Sequence, residues 1–196
     1  MDLKIISVHY KTPELIYRQY ESVRKFYPEI KYEIIDGSDN HQNYFKDLED
    51  KDENFKVIRF GYNIHHGPGM DYGIKNSDKS LILILDSDVW IKEDFLHEFI
   101  LDFNGIAKGL RILIDQNGFT TTNKNGYPYV HPYCMLINKT EYLKYKPFIK
   151  HGAPCIDFMV DVFEQGKSDL LIGYPIENVL GMDHKGTVSK WGYNLN

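Results

Sequence analysis

A mostly parallel β-sheet flanked by helices, the α/β class, follows from three features of this chain. Short, almost wholly apolar runs recur at 3–10 (LKIISVHY), 31–36 (KYEIID), 54–60 (NFKVIRF) and 79–85 (KSLILIL). Segments of helical length and pattern separate most of them. Each run also ends in polar residues, as strands do when their carboxyl ends open on a ligand crevice. Strands covered on both faces read as continuous apolar runs, and a strand–helix–strand rhythm joins them in parallel.

The elements follow in order. After the first strand, Thr12 is a suitable N-cap with Pro13 at the first helical position. Ile16, Tyr20, Val23 and Tyr27 recur at helical spacing, and Pro28 closes the helix. The second strand runs into the turn DGSDN, and residues 41–53 are polar and acidic, a surface helix or loop. After the third strand, GPGMDYGIKNS (67–77) is a short helix, and the fourth strand is the most apolar. Farther on, KEDFLHEFILDF (92–103) reads as helix, LRILI (110–114) as strand and FTTTNKNGYPYVHPY (119–133) as a Gly- and Pro-punctuated loop. CMLINKTEYLKY (134–145) is a strand entering a helix, APCIDFMVDVFEQG (153–166) a helix stopped by Gly166, and DLLIGYPI (169–176) a late strand. With no repeat or linker, residues 1–196 are expected to form one domain.

Composition narrows the classes. A net charge of −5 without a long basic run argues against affinity built on phosphate-backbone contacts. Cys134 and Cys155 are too few and too far apart for a zinc framework or a disulfide scaffold, so reduced thiols are expected. No stretch is long and apolar enough to span a membrane, which suggests a cytoplasmic protein or one peripheral at the membrane surface.

Ligands of parallel sheets bind at the carboxyl ends of the strands, where His9, Tyr10, Asp36, Asn63, Asp86 and Asp88 should converge. In LILILDSDVW the two aspartates, at i and i+2 of an extended chain, would point to one face. Carboxylates held that close raise each other's pKa unless a cation lies between them, and an all-oxygen pair suits Mn²⁺ or Mg²⁺. The plainer alternative is a solvated turn with Asp88 capping a following helix. His65 and His66, adjacent in extended chain, would point apart in a loop near the ligand. GPGMDYG is not a dinucleotide fingerprint, because its third glycine comes one residue late and it follows the third strand.

Taken together, IISVHYKTPELI, IIDGSDN, NIHHGPGMDYGI and LILILDSDV resemble, in order and spacing, the GT-A nucleotide-sugar glycosyltransferases, and most closely the family-2-like group. Lys11 stands where that family usually has Asn, and His65 and Asp71 replace a Gly and an Asn, while Asn63, Gly69 and Gly73 match. Asp157 and Gly166 fall on the acidic and terminal-glycine positions of the family's acceptor-side helix, without its preceding Glu or its Arg. HKGTVS (184–189) is similar to the element that ends many of these domains.

The resemblance implies a single GT-A domain with a nucleotide-binding half (1–90) and an acceptor-binding half (91–196). It implies transfer of a sugar from a nucleoside-diphosphate sugar, a UDP-sugar favoured, to an acceptor hydroxyl, with inversion and metal assistance. Val8, His9, Tyr10, Asp36, Asn63, Asp71, Asp86 and Ser87 would line the donor. Asp36 would accept from the base, unless it serves only to brace its own turn. Asp88, Asp86 and His184 would hold Mn²⁺ or Mg²⁺, and Asp157 would be the general base. The acceptor stays open among a glycan, a lipid-linked sugar, a protein and a modified base, and so does the oligomeric state. Two rivals stand beside this reading. One is a domain that binds nucleotide sugar or glycan without turnover; the other is a phosphatase of the D-x-D type, which usually carries that motif on its first strand.

Overall fold

The computed structural model describes residues 2–39 and 43–183. Strands β1 (Leu3–His9), β2 (Lys31–Asp36), β3 (Phe55–Arg59) and β4 (Leu81–Leu85) alternate with helices α1 (Pro13–Phe26), α2 (Lys46–Lys51) and α3 (His66–Asn76). Then come β5 (Val89–Ile91), α4 (Leu96–Ile100), β6 (Ala107–Ile114), β7 (Tyr127–Asn138), α5 (Lys139–Tyr142) and α6 (Ile156–Glu164). A 3₁₀ turn (Ser168–Leu170) leads to β8 (Leu171–Gly173) and β9 (Leu180–Met182).

Seven strands form one sheet in the order β3-β2-β1-β4-β7-β6-β8. Only β7 runs against the others, being antiparallel to both β4 and β6. The apolar runs divide by the two-residue period of a strand. Leu83 and Leu85 join one core with Ile16 and Val23 of α1, whereas Ile82 and Ile84 join the other with Met70 and Ile74 of α3 and Phe158 and Met159 of α6. Helices therefore cover both faces, as the expected class requires. The glycines of α3 serve close packing on β1. A Cβ on Gly69 would lie 2.9 Å from Val8 Cγ1, and one on Gly73 2.9 Å from Ile6 Cγ2.

Four local expectations are corrected. The segment expected as a loop over 119–133 contributes Tyr127–Tyr133 to the long strand β7. Its prolines are tolerated because Pro128 opposes Leu113 near one end, and the ladder with β6 is interrupted between Gly109 and Arg111. The helix expected over 92–103 is confined to Leu96–Ile100, since the chain breaks into the left-handed region at Asp102 (φ 56°). The late strand over 169–176 shrinks to Leu171–Gly173, preceded by the 3₁₀ turn and followed by Pro175, which has no N–H to give the ladder. Finally, β4 stops at Leu85, so Asp86-Ser87-Asp88 form a tight turn closed by the Val89 N–H donating to Asp86 O at 3.0 Å. The i, i+2 strand geometry does not apply.

Candidate active site

The chain steps from β1 to β2 and β3 on one side and returns to β4 on the other, so the sheet's switch point lies between β1 and β4. A parallel sheet opens a crevice there, at the strands' carboxyl ends. Asp36 and Asp86 stand at the ends of β2 and β4, flanking β1.

One oxygen of Asp36 is engaged internally. Its Oδ1 lies 2.9 Å from His9 Nδ1 and accepts from the Ser38 N–H at 2.9 Å. The Thr12 N–H donates to His9 Nε2 at 3.0 Å, so that nitrogen carries a lone pair and Nδ1–H is the donor to Asp36. Burial raises the Asp36 pKa, but the hydrogen bonds from His9 and Ser38 outweigh it and hold the carboxyl below its ordinary range. His9 is fully buried and both ring nitrogens are committed within the protein. Thr12 occupies the N-cap position, but its side chain makes no cap hydrogen bond.

Asp86 is different. Its backbone is pinned by the Tyr133 carbonyl, which accepts from the Asp86 N–H at 3.0 Å, and by Gln19. Gln19 is wholly buried in α1 and gives both amide hydrogens to the turn, at 2.7 Å to Asp86 O and 2.7 Å to Val89 O. Its own carbonyl accepts from Ser7 Oγ at 2.7 Å and from the Tyr32 hydroxyl. The Asp86 carboxylate is less complete. His66 Nε2 is 2.8 Å from Oδ1 as an ion-pair partner, without the alignment of a good hydrogen bond.

Burial works against the charged form of both partners. The proximity of Asp86, with Asp88 behind it, nevertheless raises the His66 pKa, and His66 in turn lowers that of Asp86. His131 of β7 stands within electrostatic reach of both, with burial pushing its pKa down. The Tyr133 N–H donates to His131 Nδ1 at 3.3 Å, fixing Nε2–H as its free donor. Cys155, at the N-cap of α6, also feels the Asp86 charge, and burial is the main cause of its raised thiol pKa. Asp157 lies exposed in the first turn of α6, two residues after Cys155.

Before α3, Asn63 Oδ1 accepts from the His65 N–H at 2.9 Å. His65 adopts φ 66° and ψ 160°, a backbone region almost reserved for glycine that costs on the order of 1–3 kcal/mol for other residues. Gly67 must stay small because a Cβ there would fall 2.0 Å from Ile149 O. The segment after Ile149 is thus pressed against the start of α3.

Beyond the turn, β5 pairs with β9 in a two-stranded ribbon, and the Asp183 N–H donates to Asp88 O at 2.9 Å. Trp90 holds this ribbon. The Arg18 guanidinium lies 3.2 Å from its ring centroid, and Gly181 is so close that a Cβ would come 2.1 Å from Trp90 Cε2. His184 lies outside the described residues.

Val8 packs against Gly69, and Tyr10 lies under the Lys11 ammonium at 5.0 Å. Lys11 adopts φ 56°, pairs with Asp39 at 2.6 Å and donates its N–H to Ser38 Oγ at 3.1 Å. Ser87 stands between the two aspartates of the turn. Asp71 is not brought to this corner. Five residues on from His66, it is turned about 140° round the helix, with Lys75 Nζ on Oδ2 at 2.8 Å and the Tyr142 hydroxyl on Oδ1 at 2.7 Å. Gln19, His66 and His131 were missed. His66 begins a helix and is not part of an extended loop, so the reasoning that set the two histidines aside used the wrong backbone. Gln19 gave no signal beyond being polar on an apolar helix face.

The residues fit a divalent cation only in part. The Asp86 carboxylate and the neighbouring Asp88 offer oxygen ligands, but among the described residues no three ligating side chains meet. Such a pair needs substrate oxygens and water to complete a shell, as Mg²⁺ and Mn²⁺ commonly have.

No curated protein matches the chain in sequence. The fold is shared with the mannosyltransferase PcManGT from Pyrobaculum calidifontis, solved with GDP-Man and Mn²⁺, at TM-score 0.61 and 10% identity over 78% of this chain and 49% of that one. It is shared with S. aureus TarS (1–349) in complex with UDP-GlcNAc at TM-score 0.54 and 18% identity, over 79% and 51%. The galactosyltransferase LgtC, with donor and acceptor sugar analogues, gives TM-score 0.55 and 17% identity over 86% and 66%. The chain spans about half the length of the first two. The family described as Glycosyl transferase family 2 matches residues 4–162, most of the sequence, and the chain belongs to that family, with its GT-A fold.

Proposed function

We propose that this chain transfers a sugar from a nucleoside-diphosphate sugar, a UDP-sugar by preference, to an acceptor hydroxyl in a single inverting displacement. The observation that carries the reading is the buried Asp86 oxygen at the switch point, met by the His66 ring at 2.8 Å without an aligned hydrogen bond and carried on the same tight turn as Asp88. The first ninety residues form the donor half and the remainder the acceptor half of one domain. Relatives of the same fold have been solved with GDP-Man or UDP-GlcNAc.

Asp86 and Asp88 would hold Mn²⁺ or Mg²⁺, which supplies positive charge against a leaving diphosphate. The chain's own residues do the rest. Gln19 and the Tyr133 carbonyl fix the turn that carries the two carboxylates, so their position is set before substrate arrives. His131 offers Nε2–H as a neutral donor near the Asp86 corner. Asp157, exposed at the start of α6, takes the proton of the attacking acceptor hydroxyl. The bond from the acceptor oxygen to the anomeric carbon forms as the bond to the diphosphate oxygen breaks, and the diphosphate leaves with the electron pair.

Thermal unfolding with UDP, GDP, CMP and dTDP, each with and without Mn²⁺, tests the donor site. One nucleotide with metal should raise the Tm, by the equivalent of about 2.7 kcal/mol at a hundred times its Kd, and Asp88→Ala should abolish the shift. Asp157→Asn should keep that shift and lose transfer by roughly 10²–10⁴-fold. A protein that shifts with no nucleotide does not carry this donor site, and one that binds nucleotide equally well without transfer in either form is a binding module.

A further inference from the structure

Strand β7 loses its register at one point. Gly109 of β6 opposes Met135 and Arg111 opposes Val130, so residues 131–134 of β7 stand against Leu110 alone. Gly109 makes room for this bulge, since a Cβ there would fall 2.6 Å from Cys134 O and 3.0 Å from Val130 Cγ1. On its other side β7 pairs with β4 only as far as Cys134, opposite Leu85, and the Tyr133 carbonyl then takes the Asp86 N–H at 3.0 Å. His131 therefore stands where β7 has outrun β4, beside the crevice, and Pro132 after it restricts its backbone to the extended region. Bulges of this kind re-aim a side chain, and they gather beside active sites. The His131 ring is held on both sides, 5.2 Å from the ring of Tyr133 and 6.2 Å from that of Tyr129. Tyr129 in turn accepts the Cys155 N–H at 3.5 Å, at the N-cap of α6. One neighbour thus ties His131 to the carboxylate turn and the other ties it to the helix that carries Asp157, and its ring is within electrostatic reach of Asp86 and His66. With Nδ1 accepting from the Tyr133 N–H, Nε2–H is left as a donor, and among the described residues nothing accepts it.

We propose that His131 is a specificity-determining residue, donating Nε2–H to a hydroxyl oxygen of the sugar that is transferred. The proposal deepens the transferase reading and rests on it. In a single displacement the sugar lies between the leaving diphosphate and the attacking acceptor oxygen. Under that reading the diphosphate end belongs to Asp86 and Asp88 and the acceptor end to Asp157, and His131 is linked by contact to the elements that carry both. An N–H held in a fixed tautomer suits a hydroxyl. It can only donate, and it goes unpaired with a sugar whose hydroxyl is missing or lies on the other face of the ring. Its contribution should therefore appear with the sugar present and vanish with the bare nucleotide.

The test is calorimetric titration, with Mn²⁺, of UDP and of UDP-glucose, UDP-galactose and UDP-N-acetylglucosamine into the wild type, His131→Phe and His131→Gln. The quantity read is the ratio of the Kd of UDP to that of each UDP-sugar. For the sugar bound best, that ratio should fall at least about fivefold in His131→Phe, the loss of one hydrogen bond. It should recover in part in His131→Gln, whose amide N–H can reach the same oxygen, while the Kd of UDP itself stays within about twofold throughout. His131→Ala carries the same expectation as His131→Phe, should the larger ring not fit. A ratio unchanged in these variants overturns the contact. So does an equal loss with UDP and UDP-sugar, which assigns His131 to the diphosphate or to the fold. Long-range ¹H–¹⁵N NMR of the free wild type needs no variant: the Nε2–H tautomer is expected, and the Nδ1–H tautomer overturns the proposal. A wild type that binds no UDP refutes the donor reading and the proposal with it, a result distinct from UDP bound normally with an unmoved ratio.

Discussion

Asp36 and Asp86 end parallel strands on either side of β1, yet one is a closed piece of structure and the other is open. Asp36 has a histidine and a backbone N–H fixed on one oxygen, and its side chain is 3% exposed. Asp86 has a fully braced backbone, a side chain 23% exposed, and a carboxylate oxygen with no aligned donor. A buried charge without its hydrogen bonds is costly in any fold. The contrast teaches that the polar ends of these strands are not equivalent ligand contacts. At β2 the protein fills one oxygen of the carboxylate itself; at β4 it braces the backbone and leaves the carboxylate to the His66 ring.

Substitution should separate the two corners. Asp36→Ala leaves His9 Nδ1–H and the Ser38 N–H buried without acceptors, and should cost about 2–5 kcal/mol in denaturant unfolding. Asp86→Asn removes the charge opposite His66 but keeps the braced backbone, and should cost less than Asp36→Ala, about 1–2 kcal/mol, while the metal-dependent nucleotide shift disappears. Equal stability losses at both positions would break the comparison. Next in size is Gln19→Leu, which strips donors from Asp86 O and Val89 O and should cost about 2–4 kcal/mol. It should also weaken nucleotide binding without touching any ligand, measured by unfolding and titration on the same protein.

A pH series sharpens the same contrast. Asp36 titrates below its ordinary 3.8 in the folded state. Its stabilisation is therefore present above the unfolded value and is lost as pH falls from about 4 through the lower folded value. Asp36→Asn should flatten that part of the acid-stability curve, read by unfolding at successive pH values. The smallest effect is expected away from both corners. Arg18→Ala removes the cation over Trp90 and should cost about 0.5–1 kcal/mol, seen as a modest Tm loss.

Legibility in the sequence follows the same division. The parallel half was readable because strands covered on both faces leave unbroken apolar runs, and Pro13 and the strand-end aspartates punctuate them. β7 was not, since Pro128 and Pro132 look like loop residues until β6 and the irregular pairing beside Gly109 absorb them. The D-x-D turn was found as a motif, but its geometry was misjudged, because β4 ends one residue earlier than alternation requires. Asp71 was placed on the donor by motif position, and its partners Lys75 and Tyr142 depend on a helix rotation and on the short helix α5 far along the chain. His66 needed the helix start to be known to the residue, and Gln19 needed the packing of α1 on a turn far along the chain.

The ribbon of β5 and β9 bears on the order in which the molecule can be finished. A chain leaving the ribosome exposes β1 to β4 first, and these parallel strands have partners among themselves. The turn after β4 does not. It waits for Tyr133 to accept its Asp86 N–H, and then for Asp183 to donate to Asp88 O as Gly181 closes over Trp90. A nascent or truncated chain with the nucleotide half intact should therefore hold that half's core while its carboxylate turn is still unset, so that competence for the donor arrives only with the last described strand.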